Sequence, residues 1–428
     1  MNKLRKISLL CLLALAAVFC VSRTAVAEAA SQQEPMPTEN AEEGNGPSLS
    51  ELRFDETSFP PVVLGGEPVL LAVEAFQNLS CRWESQTPYI ATVDDRGMVT
   101  AVEAGAAVIT VTVTDDDREY IFEIPVRVVN PHFEDASINL AANCRGVISV
   151  KDCSGGPLTV SVSDAKVLSY ISDSEGNITV KAGKKTGAAT LFVTADGVSL
   201  TCKVKVTNPH FKQEYGFYEK NRKFQPVLAG LNKKSRPEWS SMDEKTASVD
   251  AKGRGRTKKI GSTMILCRVD GKTLGYCLAV GTKTAVKAMR WGYSKLGKFH
   301  YSQARRMNRA YFDCSSFVYR CYRAAGRYLV RKTSWAPVAA DIGRYYVQKK
   351  KRIKPSGKTY KPSKLRPGDL VCFGGSGARR NGRYKRIYHI ALYIGNGKTI
   401  ESSSTYNNVV IRDRGIMEKK GIPVIVRP

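Results

Sequence analysis

One cysteine in the C-terminal third of the 428-residue chain has the surroundings of a nucleophile. Cys314 follows Asp313, a good N-cap residue, and apolar residues recur after it at helical spacing as far as a stop at Gly326. The sequence therefore predicts a helix that begins at Cys314. Unpaired backbone N–H groups and the positive end of the helix dipole stabilise a thiolate at such a position. The alternative is a core residue, which is our interpretation of Cys321.

A histidine on a predicted strand supplies the base that a thiol nucleophile needs. His389 begins an alternating apolar segment that runs into the hairpin signal Gly395-Asn-Gly397. The other histidine of this region is His300. An imidazole that faces a helix-terminal thiol can take its proton and later protonate a leaving amine. Cys314 and His389 together therefore predict nucleophilic acyl transfer.

The register of this hairpin decides which residue orients the imidazole. A two-residue Asn396-Gly397 turn pairs Leu392 with Glu401. In that register Glu401 points away from the face of His389, and Ser402 takes the role. A three-residue loop with a bulge instead puts Glu401 on the face of His389. We favour Glu401, because a carboxylate would also stabilise an imidazolium.

The N-terminal residues have the order of a secretory signal peptide. A basic segment at Lys3–Lys6 precedes the apolar run Ile7–Val21, and Ala25-Val-Ala27 follows as a cleavage signal. The apolar run is short for a membrane span of about 20 residues. We expect an exported, cell-wall-associated chain with no stable membrane span after cleavage, and an uncleaved N-terminal anchor is the alternative.

The nine cysteines beyond this segment admit two interpretations. Export permits disulfides, and an odd number leaves one thiol free for catalysis. Cys267 and Cys277 flank a turn at Asp270-Gly271 and could bridge a hairpin. The alternative is that most of the nine are small buried hydrophobic residues.

Charge is distributed unevenly along the chain. Residues 285–428 hold 33 of the 66 Lys and Arg but 6 of the 39 Asp and Glu, which accounts for the whole net charge of +27. This field favours polyanionic partners, and for an exported chain we expect anionic cell-wall polymers. Residues 377–386, a basic loop before His389, are expected to edge the cleft. Nothing resembles a nucleic-acid module, and four scattered histidines suggest no metal or other cofactor.

The middle of the chain is repetitive. The segment Asn130-Pro-His-Phe133 recurs 78 residues later at Asn208, and the spacing from Trp83 to Gly97 recurs from Trp239. Alternating segments at 106–114, 188–194 and 263–269 predict one strand in each of three copies. Many short strands separated by turns predict β-sandwiches. The text from Trp83 onward resembles bacterial Ig-like group 2 domains, which implies a spacer or adhesive role.

Three motifs follow one another in the basic region: Asp313-Cys-Ser315, Pro367-Gly-Asp-Leu-Val371 and His389-Ile-Ala-Leu-Tyr-Ile-Gly395. In order and spacing they resemble the NlpC/P60 family of cell-wall cysteine peptidases. The resemblance implies a papain-like α+β fold and cleavage of peptidoglycan stem peptides, commonly after γ-D-glutamate. It implies that Cys314 is the nucleophile and His389 the base. It also puts Glu401 at the third catalytic position, where His, Asn or Gln is more usual.

The resemblance further implies which residues line the substrate cleft. Tyr301 matches the active-site tyrosine of the family, and Asp313 and Ser315 match residues near the substrate amine. The family usually has a Gly-Gly pair after the tyrosine, whereas this chain continues into Arg305 and Arg306. The two arginines could bind a substrate carboxylate bidentately, or they could form a solvated basic surface.

The expected architecture is multidomain, with three all-β Ig-like sandwiches followed by an α+β papain-like NlpC/P60 domain. The expected boundaries are a signal peptide at 1–27, a disordered acidic linker at 28–52, Ig-like repeats at 53–130, 131–208 and 209–284, and the cysteine peptidase at 285–428. The expected function is secreted peptidoglycan hydrolysis at stem-peptide amides. The alternatives are a Cys/His amidase that removes the whole stem from the sugar, and a surface adhesin that binds the wall without cleaving it.

Overall fold

The computed structural model describes residues 48–356, 359–375, 382–413, 416 and 421–428. The predicted signal peptide, most of the predicted acidic linker and part of the basic loop lie outside the described residues. Residues 53–428 form one compact unit. None of the helices in the described ranges combines the length and the apolar composition of a membrane span.

The first repeat is built from two sheets. Its strands are β1 (Val62–Val63), β2 (Val69–Leu70), β3 (Ser80–Ser85), β4 (Ala91–Val93), β5 (Met98–Ala101), β6 (Gly105–Asp115) and β7 (Arg118–Val129). One sheet has the order β1-β7-β6-β3 and the other β2-β5-β4. Alternate residues of β6, such as Ile109 and Val111, are fully buried, which is the period-two pattern of a sandwich core.

The second repeat is built from two four-stranded sheets. Its strands are β8 (His132–Phe133), β9 (Ser137–Ala141), β10 (Arg145–Lys151), β11 (Thr159–Val162), β12 (Leu168–Ser174), β13 (Asn177–Ala182), β14 (Gly187–Ala195) and β15 (Val198–Thr207). The orders are β12-β13-β10-β8 and β11-β14-β15-β9. Leu168, Ile178 and Leu191 are fully buried between them in one core cluster.

The third repeat is built from three sheets. Its strands are β16 (His210–Phe211), β17 (Tyr215–Glu219), β18 (Lys223–Phe224), β19 (Leu228–Ala229), β20 (Glu238–Ser241), β21 (Ala247–Val249), β22 (Gly255–Thr257), β23 (Gly261–Val269) and β24 (Lys272–Gly281). The four-stranded sheet has the order β17-β24-β23-β20, the three-stranded sheet β18-β22-β21, and β16 pairs with β19. The three strands predicted from alternation, at 106–114, 188–194 and 263–269, are confirmed within β6, β14 and β23.

The Trp-to-Gly spacing of the repeats reflects a close approach between two residues. Gly97 has a φ of 80°, and a Cβ there would lie 2.8 Å from the ring of Trp83. Gly253 has a φ of 76°, and a Cβ there would lie 2.6 Å from the ring of Trp239. Glycine is therefore required at both positions, for its backbone conformation and for space.

The C-terminal region has helices packed on a mainly antiparallel sheet. Its helices are α1 (Lys283–Tyr293), α2 (Cys314–Ala324) and α3 (Ala339–Gln348), and its strands are β25 (His300–Tyr301), β26 (Tyr311–Phe312), β27 (Arg352–Ile353), β28 (Leu370–Gly374), β29 (Ile387–Gly395), β30 (Lys398–Ser403), β31 (Asn408–Asp413) and β32 (Val424–Val426). Strands β27 to β32 form one sheet of order β27-β32-β28-β29-β30-β31. Phe317 of α2 and Ile342 of α3 share one buried core with Ile390 and Ile400 of the sheet, which confirms the α+β class.

The nine cysteines of the described residues are all free thiols. Across the β23–β24 hairpin Cys267 pairs with Leu274, while Cys277 pairs with Met264. The two cysteines are therefore not cross-strand partners, and the structure has no bridge between them. Burial of Cys267 fits the alternative interpretation, a small hydrophobic side chain.

Candidate active site

The helix that carries Cys314 begins where the sequence predicts. Asp313 is the N-cap of α2, and its Oδ1 accepts a hydrogen bond from the backbone N–H of Ser316 at 2.7 Å. The Asp313 N–H in turn donates to Oγ of Ser316 at 3.0 Å, which completes a capping box. This cap fixes Cys314 as the first helical residue, with 6% of its surface exposed.

The hairpin that carries His389 and Glu401 combines features of both predicted registers. Its turn is tight, because Gly395 pairs directly with Lys398. An irregularity between Tyr393 and Gly395 then shifts the register by one residue, so that Leu392 pairs with Ile400. The shift puts Glu401 on the face of His389, as the bulged register predicts.

Ser402, the alternative orienting residue, points elsewhere. Its hydroxyl donates to the carbonyl oxygen of Phe312 at 3.2 Å and is fully buried. That carbonyl lies two residues before Cys314, so Ser402 ties β30 to the start of α2. The structure thus gives Ser402 a packing contact and leaves Glu401 beside the imidazole.

The imidazole of His389 lies between a thiol and a carboxylate. Cys314 is one of the two groups that raise the pKa of this imidazole, and Nε2 of the ring lies 3.2 Å from Oε2 of the other, Glu401. Burial would lower the pKa of His389, but the hydrogen bonds and negative charges of Cys314 and Glu401 outweigh it and raise the pKa to about 9. The imidazolium form is therefore favoured at neutral pH.

A second cation, which the sequence analysis did not identify, faces the same carboxylate. Oε1 of Glu401 lies 3.8 Å from Nη1 of Arg412, and the Arg412 guanidinium lies 5.1 Å from the ring centroid of Tyr406. Arg412 is on β31, two residues beyond Val410, the cross-strand partner of Glu401. Side chains two residues apart on a strand share a face, so the alternation after the turn at 404–407 is the sequence signal that places Arg412 on the face of Glu401.

Tyr301 lies beside the nucleophile. Strands β25 and β26 pair in parallel, so that Tyr301 is opposite Phe312, two residues before Cys314. Burial, with the negative charge of Cys314 next, raises the pKa of the Tyr301 phenol. The Tyr301 N–H donates to Oδ1 of Asn407 at 2.9 Å, which connects this segment to the β30–β31 turn. The phenol is thus held protonated near the thiol.

The two neighbouring arginines have different environments. Arg306 is buried, and its Nε lies 3.0 Å from Oδ2 of Asp313. Its Nη2 donates to Oγ of Ser315 at 2.8 Å and to the carbonyl oxygen of Pro337 at 3.3 Å. Arg305 is exposed, and its guanidinium lies over the Tyr311 ring at 5.2 Å.

Arg306 thus differs from both expectations, whereas exposed Arg305 is compatible with a solvated surface. The Arg306 guanidinium is neither part of a solvated surface nor open to a substrate carboxylate, because Asp313 and Ser315 already occupy it. The resemblance places Asp313 and Ser315 near a substrate amine. In the structure they also contact each other, because the Ser315 hydroxyl donates a hydrogen bond to Oδ1 of Asp313 at 3.1 Å. In the part of the chain that the structure describes, no group of three or more His, Cys, Asp or Glu residues could hold a metal ion.

Two family comparisons match separate parts of the chain. Residues 297–420 match the NlpC/P60 family, and residues 70–121 match the bacterial Ig-like domain (group 2). The first match contains Cys314, His389 and Glu401, and the second lies within the first repeat. No curated protein matches the chain.

Solved structures of two kinds are similar to parts of the chain. The P60 domain of an antigen from M. avium subspecies paratuberculosis is 18% identical over 34% of this chain and 94% of its own, with a TM-score of 0.23. The NlpC/P60 domain of the peptidoglycan hydrolase SagA is 20% identical over 34% of this chain and 98% of its own, with a TM-score of 0.22. A three-domain Ig fragment of titin is 11% identical over 51% of this chain and 94% of its own, with a TM-score of 0.21.

Proposed function

We propose that the NlpC/P60 domain that contains residues 297–420 hydrolyses amide bonds in the stem peptides of peptidoglycan, with Cys314 as the nucleophile. The observation that carries the proposal is the His389 imidazole held 3.2 Å from the buried Glu401 carboxylate, with Cys314 as the other group that stabilises its charged form. A nucleophile next to a base that a third group orients is the arrangement that acyl transfer requires.

The proton transfers follow from the orientation of the imidazole. Nε2 of His389 faces Glu401, so Nδ1 is the nitrogen that remains for the thiol proton. With a pKa of about 9, the imidazole is protonated at neutral pH, and we propose that this proton comes from the Cys314 thiol. The Glu401 carboxylate stabilises the imidazolium and holds the ring in place.

The bond changes then follow in two halves. The thiolate attacks the amide carbon, a C–S bond forms, and the carbonyl electrons move onto oxygen. When the oxyanion collapses, the C–N bond breaks and the imidazolium gives its proton to the leaving amine. Water then gives a proton to the neutral imidazole and attacks the carbonyl carbon of the thioester. The C–S bond breaks, the carboxylic acid leaves, and the thiolate and the imidazolium are restored.

The start of α2 supplies donors for the oxyanion. The backbone N–H groups of Cys314 and Ser315 belong to the first turn, where N–H groups have no acceptor within the helix. We assign them to the developing negative charge, together with the protonated phenol of Tyr301. Preorganised donors of this kind need no rearrangement during the reaction.

The Asp313–Arg306 pair bears on which stem peptides are accepted. The Asp313 carboxylate is already matched by a guanidinium at 3.0 Å, so it is poorly suited to bind a cationic amine as well. We therefore propose that the domain cleaves stems whose first amine is acylated, as in stems still attached to sugar. Cleavage after γ-D-glutamate is the bond that the NlpC/P60 resemblance favours.

The charge of residues 285–428 supports a location in the cell wall. A net charge of +27 in these residues attracts phosphate-rich or carboxylate-rich polymers. We propose that the chain is exported and that the bacterial Ig-like match at 70–121 belongs to a spacer region that presents the enzyme.

Digestion of purified peptidoglycan by the wild type and the Cys314→Ala variant tests this function. We expect new D-glutamyl-ended fragments with the wild type and none with the variant, as seen by mass spectrometry. Sugar chains freed of whole stems would instead identify an amidase. Equal binding and equal absence of products in both proteins would identify a wall-binding adhesin. Muropeptides with a free or an acylated stem amine, compared as substrates, test the role of the Asp313–Arg306 pair.

A further inference from the structure

We infer that the third repeat is part of the catalytic unit, because it holds the bulge that sets the register of the β29–β30 hairpin. The residue that makes the contact is Ser262 of β23, which lies outside the NlpC/P60 match at 297–420 and before the predicted boundary at 285. The inference rests on the proposed function, since that function assigns catalysis to residues of this hairpin.

The third repeat and the catalytic domain share one hydrophobic core. Phe217 of β17 and Ala279 of β24 are buried in the same cluster as the apolar faces of α1 and α2. The ring of Tyr293, at the end of α1, lies 5.6 Å from the ring of Phe217. Nε and Nη2 of Arg290 both donate to the carbonyl oxygen of Phe217, at 2.9 and 2.6 Å. This is a continuous interior, unlike the sparse contacts across a linker between independent domains.

The turn of the catalytic hairpin lies on β23. The Asn396 N–H donates to Oγ of Ser262 at 2.9 Å, and Nδ2 of Asn396 donates to the carbonyl oxygen of Thr263 at 3.0 Å. Ser262 therefore contacts the turn side of the irregularity between Tyr393 and Gly395.

The bulge itself is fitted closely against the same serine. Gly395 has a φ of 99°, and a Cβ at that position would lie 2.5 Å from the Cβ of Ser262. Only glycine permits both this backbone conformation and this approach. The third repeat therefore matches the bulged form of the hairpin in shape as well as in hydrogen bonds.

The bulge determines which side chain faces the imidazole. Without it the strand would slip by one residue, and Ser402 would replace Glu401 on the face of His389. Ser262 touches none of the reacting groups and acts through the register of the strands. It is therefore a positioning residue, because it contacts the turn of the hairpin and not His389 or Glu401.

A full-length Ser262→Ala/Asn396→Gly variant tests the inference. Glycine tolerates the φ of 49° at Asn396, so the turn can still form while its side-chain contact and the Ser262 hydroxyl contacts are lost. The matched control is Ser149→Ala/Asn143→Gly in the second repeat, where Asn143 has a φ of 63° and Ser149 donates to Asn177.

Two readouts separate positioning from general stability. We expect kcat on peptidoglycan to fall about tenfold at unchanged KM, because a small misplacement of catalytic groups is costly. We also expect alkylation of Cys314 by iodoacetamide, followed by peptide mass spectrometry, to shift to higher pH as the imidazolium is lost. The control variant should change neither quantity.

The outcomes decide the inference without depending on the substrate. A wild-type kcat and alkylation profile in the Ser262→Ala/Asn396→Gly variant would overturn it. Equal changes in the control would also overturn it, because they would assign the effect to global destabilisation. If the wild type does not cleave peptidoglycan, the proposed function fails, and the alkylation shift alone then supports or refutes the positioning role of Ser262.

Discussion

Nε2 of His389 lies 3.2 Å from Oε2 of Glu401, and the other oxygen of this carboxylate lies 3.8 Å from Nη1 of Arg412. The Glu401 side chain is fully buried, and both cations favour its ionised form. The imidazolium depends in turn on the carboxylate, because burial alone would favour neutral imidazole. The three side chains therefore form one electrostatic unit behind the Cys314 thiol.

Replacement of the carboxylate by an amide of the same shape should weaken catalysis. We expect Glu401→Gln to lower the pKa of His389 and to reduce kcat/KM about a hundredfold, since the base loses its anionic partner. The matched control is Ser402→Ala, which removes a buried hydroxyl from the opposite face of the same strand. Steady-state kinetics on a soluble muropeptide measure both. A larger loss in Ser402→Ala than in Glu401→Gln would contradict the assignment.

The raised pKa of His389 makes two measurements on the same residue possible. The chain has four histidines, so a labelled-histidine NMR titration should show one imidazole that titrates near pH 9. In the Cys314→Ala variant this titration should move down, because the thiolate no longer supports the imidazolium. A His389 titration near pH 6.5 in the wild type would exclude the thiolate–imidazolium pair.

The same shift links stability to pH. The pKa of His389 is about 9 in the folded state, higher than the ordinary value of about 6.5, so protonation of His389 stabilises the fold. This contribution is fully present below about pH 6.5 and is lost as the pH rises through about 9. Urea denaturation at pH 6 and pH 10, compared between the wild type and His389→Gln, measures it.

The sequence predicted the nucleophile helix and the strand of the base because both depend on local patterns. The cap at Asp313 and the alternation after His389 are readable within a few residues. The local sequence is compatible with two hairpin registers, because the observed form joins a tight turn to a bulge at Ile394. That bulge is supported by Ser262, which lies more than a hundred residues away in sequence.

The burial of Arg306 is not predictable from the local sequence, for a similar reason. Basic residues are usually exposed, and nothing in the local sequence shows that the Arg306 guanidinium turns inward to Asp313 and Ser315. The exposed neighbour, Arg305, has the same residue type and nearly the same sequence context. Only the tertiary contact with the α2 cap distinguishes them.

The two adjacent arginines provide a matched test of this buried pair. Arg306→Gln should lower the unfolding free energy by about 3 kcal/mol, because it leaves the Asp313 carboxylate buried without its partner. Arg305→Gln should change it by less than about 0.5 kcal/mol, since that side chain is exposed. Chemical denaturation of both variants measures the difference. Equal, small effects would show that the Arg306–Asp313 pair contributes nothing to the fold.

The positive charge of residues 285–428 should make wall binding depend on salt. At about 0.1 M salt the screening length is about 10 Å, and at about 1 M it is about 3 Å. We expect the Cys314→Ala variant, which cannot digest the wall, to bind purified cell walls at the lower salt and to be released at the higher. Pelleting assays across this range measure the binding. Binding that does not change with salt would exclude an electrostatic origin.

The basic loop before His389 can be tested separately from the total charge. Lys385 and Arg386 are exposed in the described part of this loop, so Lys385→Gln/Arg386→Gln removes two charges near the cleft without loss of core contacts. The control Lys184→Gln/Lys185→Gln removes two exposed charges from the second repeat. If the loop meets the polyanion, the first pair weakens wall binding severalfold and flattens its salt dependence, while the control does neither. Equal effects of the two pairs would mean that total charge, and not the position of the loop, governs attachment.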